Sequence, residues 1–190
     1  MKRLWWGRIF WLALAGLVAV ASYISYVLFA PPLLFQRALA AETRDIPDNQ
    51  AFVLPTSAQS RLFPAYPASS VVVLCKYNVG DGPVALTAHM PYGYWTLTGY
   101  GRDGKQFYSL TDEQAGSADI TVRFVPQPSF IEQMLGSGGD RDTVSAAGWQ
   151  VLTPQKRGLA VLWAPVDDVL LRPQAEKAMA TSRCGAVAPN

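Results

Sequence analysis

The residues able to do chemistry in this chain are few, and His89 comes first because it is the single histidine. It stands at the end of a predicted strand, just before Met90-Pro91. An imidazole can serve as a general base, but only with a partner to orient it, and no partner is identifiable in the sequence. His89 is therefore a possible polar site and nothing more specific. Asp167-Asp168 offers two carboxylates, yet adjacent residues of an extended chain point to opposite faces. Solvation at the start of a helix is the better reading of that pair. Asp112-Glu113 reads as a turn or capping pair, and Asp103 is explained by its turn. Ser109 lacks the G-x-S-x-G surroundings of an activated serine, and no glycine-rich phosphate loop precedes a helix. The two cysteines, Cys75 and Cys184, form no C-x-x-C motif, which disfavours a thioredoxin-like redox role. With His89 they supply too few ligands for a structural metal. These residues give no catalytic set, no metal site and no cofactor.

Aromatic residues are more concentrated. Tyr92, Tyr94, Trp95, Tyr100, Phe107 and Tyr108 fall within 17 residues. Trp95 and Leu97 share one strand face and belong to a core. Tyr92, Tyr94, Tyr100 and Tyr108 form the candidate binding surface, since aromatic rings on an exposed β face can hold a sugar or a peptide. Ordinary packing on both sides of a sandwich is the competing reading.

The elements that must position these residues begin with a membrane segment. Ile9 to Ala30 is 22 residues without a charge, about 33 Å as a helix against a hydrocarbon core of about 30 Å. Arg8 bounds it on one side, and Pro31-Pro32 offers a stop on the other. Trp5, Trp6 and Trp11 lie toward one end, Tyr23 and Tyr26 toward the other, as at membrane interfaces. Lys2, Arg3 and Arg8 account for three of the 16 basic residues, leaving 13 against 14 acidic ones. The basic flank places the N-terminus in the cytoplasm and residues 31–190 in the periplasm, on a single-pass protein of the inner membrane. No basic cluster elsewhere suggests nucleic acid. Ala38-Leu39-Ala40 resembles a signal-peptidase site, which leaves cleavage after Ala40 open. The apolar run is longer than a signal peptide's and the site lies eight residues beyond it, so a retained signal anchor is the preferred reading. Ala15, Ala19 and Ser22 put small residues on one face of this helix, a weak sign of a partner helix.

Beyond residues 1–30, the chain reads as a juxtamembrane linker (31–50), a β-rich domain (51–184) and a disordered tail (185–190). A helical turn is expected at Gln36–Glu42. Pro55, Pro64 and Pro67 predict irregular, extended chain over 51–69. Val71–Asn78 is a strand, followed by a glycine-rich turn and a second strand over 83–90. Residues 94–100 and 105–110 flank Asp103-Gly104, a pair suited to a type I′ hairpin. Residues 118–125 alternate as a strand. A short helix is expected at 129–135 and a flexible tip at 136–142. Residues 144–152 and 159–166 predict a late hairpin, and Pro173 opens a helix predicted over 173–184 with Ala175, Met179 and Ser182 on its docking face. The fold class is mainly β: one transmembrane helix, then an antiparallel β-sandwich or jelly-roll-like domain with a C-terminal helix. An even cysteine count outside the cytoplasm favours a Cys75–Cys184 disulfide, the alternative being two buried thiols.

The runs VVVLCKYNVGDGPVAL, GYWTLTGYGRDGKQFYSLTDEQAG, RGLAVLWAPV and RPQAEKAMATSRC resemble the bacterial family called domain of unknown function 1254, and more closely its short integral-membrane branch. Tyr94-Trp95-Thr96-Leu97, Tyr100, Asp103-Gly104 and Phe107-Tyr108-Ser109-Leu110 are the most specific pieces. The likeness covers about residues 50–184, plus the anchor in layout. It implies a β-rich domain, a Cys75–Cys184 pair and a neighbouring small membrane protein carrying a second uncharacterised domain. It implies no activity. Gly99 and Gly101 leave the hairpin without side chains at two positions.

Taken together, the sequence predicts a binding or accessory module. It meets the lipid bilayer through residues 9–30 and contacts another membrane or envelope protein. The alternative is an envelope enzyme or carbohydrate-binding domain using His89.

Overall fold

A computed structural model describes residues 2–44, 46–90, 93–128, 144–145, 148–166 and 168–187. Tyr92, Asp167 and the helix and tip expected over 129–142 lie outside the described residues.

Helix α1 runs from Lys2 to Glu42 and contains both Pro31 and Pro32. It is apolar all round from Ile9, long enough to cross a membrane, and no part of its most apolar window is buried in the protein. The expected stop at the two prolines is corrected here. Each proline removes one backbone donor and crowds the preceding turn, but the next three turns recover contacts. Phe35 and Leu39 pack against a buried cluster of the β domain. The Thr43 hydroxyl donates to the Leu39 carbonyl at 2.8 Å, and Lys76 Nζ donates to the Thr43 carbonyl at 3.0 Å. A cation placed there satisfies the carbonyl end of a helix. Arg61 pairs with Glu42 at 2.8 Å. The helix therefore enters the domain as one continuous element.

Ten strands occur among the described residues: β1 (Ala51–Val53), β2 (Val71–Asn78), β3 (Val84–His89), β4 (Thr96–Gly101), β5 (Gln106–Thr111), β6 (Asp119–Pro126), β7 (Val144–Ser145), β8 (Gly148–Thr153), β9 (Arg157–Ala164) and β10 (Arg183–Ala186). They form two five-stranded sheets, ordered β1-β2-β9-β4-β5 and β10-β3-β6-β8-β7. Val73, Cys75 and Tyr77 of β2, Leu162 of β9, Leu86 of β3 and Phe124 of β6 meet between the sheets. The outer face of the first sheet is covered too. Val72, Leu74, Leu159 and Val161 pack under α2 (Thr56–Leu62). That double burial is why Val71–Cys75 is an unbroken apolar run rather than an alternating one.

Several expectations change. Residues 51–69, expected to be irregular, contain β1 and α2. Strands β8 and β9 do not form a hairpin: β9 sits at the centre of the first sheet, and β8 lies parallel to β6 in the second. Val151 and Leu162 are both core residues, so the two strands face each other across the core. Pro154–Lys156 spans the gap, three residues reaching about 10 Å. The second sheet is consequently mixed. Toward the C-terminus, a 3₁₀ turn (Val169–Leu171) leads into α4 (Arg172–Met179), with Pro173 in its first turn. That helix is shorter than expected, and Cys184 lies on β10 opposite Leu86. A disulfide joins Cys184 to Cys75, with 6.1 Å between their Cα atoms. It links the edge strand of one sheet to an interior strand of the other.

Candidate functional site

The aromatic hairpin is formed by β4 and β5. Its turn differs from the type I′ expected, since Asp103 keeps negative φ and only Gly104 is left-handed, at φ 77°. Gly104 N–H donates to the Gly101 carbonyl at 3.0 Å, and Gly101 N–H to the Lys105 carbonyl at 2.9 Å. This is a three-residue loop in which a type I turn is closed by a left-handed glycine. A register shift at Gly99/Tyr100 leaves Phe107 as the extra residue. A Cβ on Gly99 would meet the Phe107 ring at 2.8 Å, so the bare position makes room for that ring.

The predicted surface tyrosines do not share one surface. Tyr94 is 52% exposed, and its ring stands edge-on to Trp163 at 5.9 Å. Trp163 stacks on Tyr66, and Tyr66 on Phe63. Tyr100 joins the same outer cluster. Burial first, and then the Tyr100 hydroxyl, hold the Tyr66 phenol well above its usual range. Tyr108 lies on the opposite face, half-buried against the core between the sheets. The outer face therefore holds a row of rings, Phe63–Tyr66–Trp163–Tyr94, of which Tyr94 is the open end. Phe63 and Tyr66 come from a segment that carries no strand or motif signal, so no local pattern joins them to the hairpin.

His89 Nδ1 lies 2.6 Å from Asp119 Oδ1, across the directly paired positions of β3 and β6. This supplies the carboxylate partner that sequence could not name. Both side chains are more than half exposed, and neither lines the clefts beside α1 or the one at Asn78 and Gln155. Asp112 and Glu113 occupy the first turn of α3 (Asp112–Ala115), which Thr111 and Gln114 cap reciprocally. Asp168 accepts from the Leu170 N–H at 2.8 Å, in keeping with a solvated helix start. No cluster of three or more metal-ligating side chains occurs among the described residues.

A further feature was not anticipated. A cleft of about 520 Å³ opens between the end of α1 and the first sheet. Leu33, Leu39 and Leu159 supply apolar walls; Arg37, Lys76, Arg102 and Arg157 supply cations; Asp48 is the acid among its described lining residues. The four cations are spread over 121 positions of sequence, so no basic run announces them. Two contacts fix the cleft's floor. Arg102 N–H donates to Gln155 Oε1 at 2.8 Å, and the Tyr77 hydroxyl donates to the Tyr100 carbonyl at 3.2 Å. Burial, with Asp103 nearby, keeps the Tyr77 phenol protonated well above the ordinary range. Beside the cleft, the hairpin tip faces the helix across a smaller gap lined by Asp103, Gly104 and Lys105 on one side and Leu28, Pro31, Pro32 and Phe35 on the other. A Cβ on Gly104 would meet Phe35 at 2.9 Å.

No family model matches the chain, and no curated protein matches it. Among solved structures, the VPA0106 protein from Vibrio parahaemolyticus superposes with a TM-score of 0.59 at 13% identity, over 83% of this chain and 35% of that one. An uncharacterised protein from Burkholderia cenocepacia gives 0.48 at 15% identity, over 85% and 42%. The chain thus spans less than half the length of either protein. The first likeness is one of fold, and it shows that this two-sheet arrangement also occurs within a longer chain.

Proposed function

We propose that this protein is a single-pass inner-membrane protein whose β domain sits in the periplasm, at the bilayer surface, as a binding or accessory module for another membrane or envelope protein. We place it with the short integral-membrane branch of the domain of unknown function 1254 family, on the motifs quoted above. The observation that carries the reading is the continuity of α1 with the domain. The same helix that is apolar from Ile9 to Ala30 docks Phe35 and Leu39 onto the first sheet, so the domain is held close to the membrane rather than tethered by a loose linker. The Cys75–Cys184 disulfide supports an oxidising compartment. Ala38-Leu39-Ala40 lies inside α1, with Leu39 packed against the domain, which supports retention of the anchor. Orientation rests on the basic flank.

Isolation of the chain from membranes in mild detergent tests the accessory role. The expected result is a stoichiometric complex with a second membrane or envelope protein. Recovery of the chain alone, at native expression and after mild cross-linking, overturns that role. The His89–Asp119 hydrogen bond favours the enzyme reading instead. That reading expects His89→Ala to reproduce the deletion phenotype while the domain stays folded.

A further inference from the structure

The cleft between α1 and the first sheet combines three properties that together specify a ligand class. Its first property is charge. Among the described residues, Arg37, Lys76, Arg102 and Arg157 line the cleft with a single acid, Asp48, which approaches Lys76 and Arg157 only at 3.9 and 4.0 Å. Arg37 and Arg102 are exposed and make no ion pair among the described residues. Two guanidinium groups that no described carboxylate engages suit a phosphate, which they can grip through paired N–H donors.

The second property is the apolar wall. Leu33, Leu39 and Leu159 line the same space as the four cations, so it fits a ligand that is charged at one end and apolar at the other. The third is height. Arg37 lies seven residues beyond the last residue of the apolar run, about 10 Å along the helix. The headgroup layer extends roughly 5–7 Å beyond the hydrocarbon on each side. Leu33 therefore falls within that layer, and a long cationic side chain at 37 can lean back into it. The cleft's volume suits a headgroup and glycerol, leaving the acyl chains in the bilayer.

We infer that this cleft binds the anionic headgroup of a membrane phospholipid, its phosphate between Arg37 and Arg102 and its glycerol end against Leu33 and Leu39. The inference rests on the reading of α1 as a membrane anchor. Binding is read on the purified chain, so a chain that is membrane-integrated yet shows no lipid preference fails here alone.

The test is native mass spectrometry of the full chain in detergent with equimolar phosphatidylglycerol and phosphatidylcholine. Phosphatidylglycerol is expected to be retained preferentially. Arg37→Ala with Arg102→Ala should lower that retention about tenfold or more. Arg183→Ala, an exposed cation on β10 of the other sheet, should leave it unchanged. Millimolar inorganic phosphate should not displace the lipid. Equal retention of the two lipids, or equal retention by the double variant and Arg183→Ala, overturns the inference. So does release by inorganic phosphate, which would mark a free-anion site. Arg37→Glu, on the exposed face of α1, gives an independent variant with the same expected loss if the double variant melts early.

Discussion

At the scale of single residues, β9 is tightly enclosed at Gly158, where it runs between β2 and β4. A Cβ on Gly158 would collide with the Tyr77 hydroxyl and the Tyr100 carbonyl, and Tyr77 is itself fixed by its stack on Phe124, 4.8 Å between ring centres. The backbone carbonyl cannot move without breaking the β4–β9 ladder. Gly158→Ala should therefore destabilise the domain by roughly 2–3 kcal/mol, a drop in Tm of about 5–10 °C in a thermal melt. The neighbouring phenol makes a second prediction. Burial raises the Tyr77 pKa in the folded protein above its unfolded value of about 10. The stability it contributes is then fully present below pH 10 and is lost as pH rises toward the folded value, because the unfolded state releases the proton first. Denaturant titrations should show Tyr77→Phe losing less stability than the natural chain between pH 9 and 11. It should also start about 1 kcal/mol lower at neutral pH, for the lost hydrogen bond.

At the scale of elements, the longer strands were legible, and beyond the β4–β5 hairpin their partners were not. Val71–Asn78, the hairpin around Asp103-Gly104 and the alternation of Ile120, Val122 and Phe124 each carry a local signal, and each is a strand. Pairing is a tertiary property. The same apolar pattern in 148–153 and 157–164 suits a hairpin or two strands facing across a core, and the buried faces of Val151 and Leu162 decide for the latter. Pro31-Pro32 misled for a related reason: a local cost was outweighed by Phe35 and Leu39 docking on residues distant in sequence. The candidate site was even less legible, since its four cations come from α1, β2, the β4–β5 turn and β9. Cysteine count did foretell the link between elements. The disulfide closes a loop of 109 residues, which in the chain-entropy view contributes about 4–5 kcal/mol. Non-reducing alkylation of protein made in the periplasm should label no thiol. Reduction, or Cys75→Ala with Cys184→Ala, should lower the denaturation midpoint; labelling of two thiols in the unreduced protein would contradict the pairing.

At the scale of the whole molecule, anchor and domain form one continuous object. Along α1, the apolar span over 9–30, the gap that the hairpin tip faces at Leu28 to Phe35, and the cationic cleft from Leu33 to Thr43 follow one another, with Phe35 and Leu39 docked on the domain. This arrangement gives meaning to features that are unremarkable alone. If α1 spans a bilayer as proposed, the lipid buries its exposed apolar surface and the basic cleft stands at headgroup height. Cutting after Ala40 would release the domain from the bilayer and remove Phe35 and Leu39 from its outer core. The most direct test combines protease treatment of intact spheroplasts with N-terminal sequencing of the membrane-bound protein. A retained anchor with a periplasmic domain predicts a protein that resists carbonate extraction, keeps Lys2, Arg3 and Arg8 at its N-terminus, and loses its β domain to external protease. A mature N-terminus at Ala41, or a domain shielded until the membrane is breached, would contradict it.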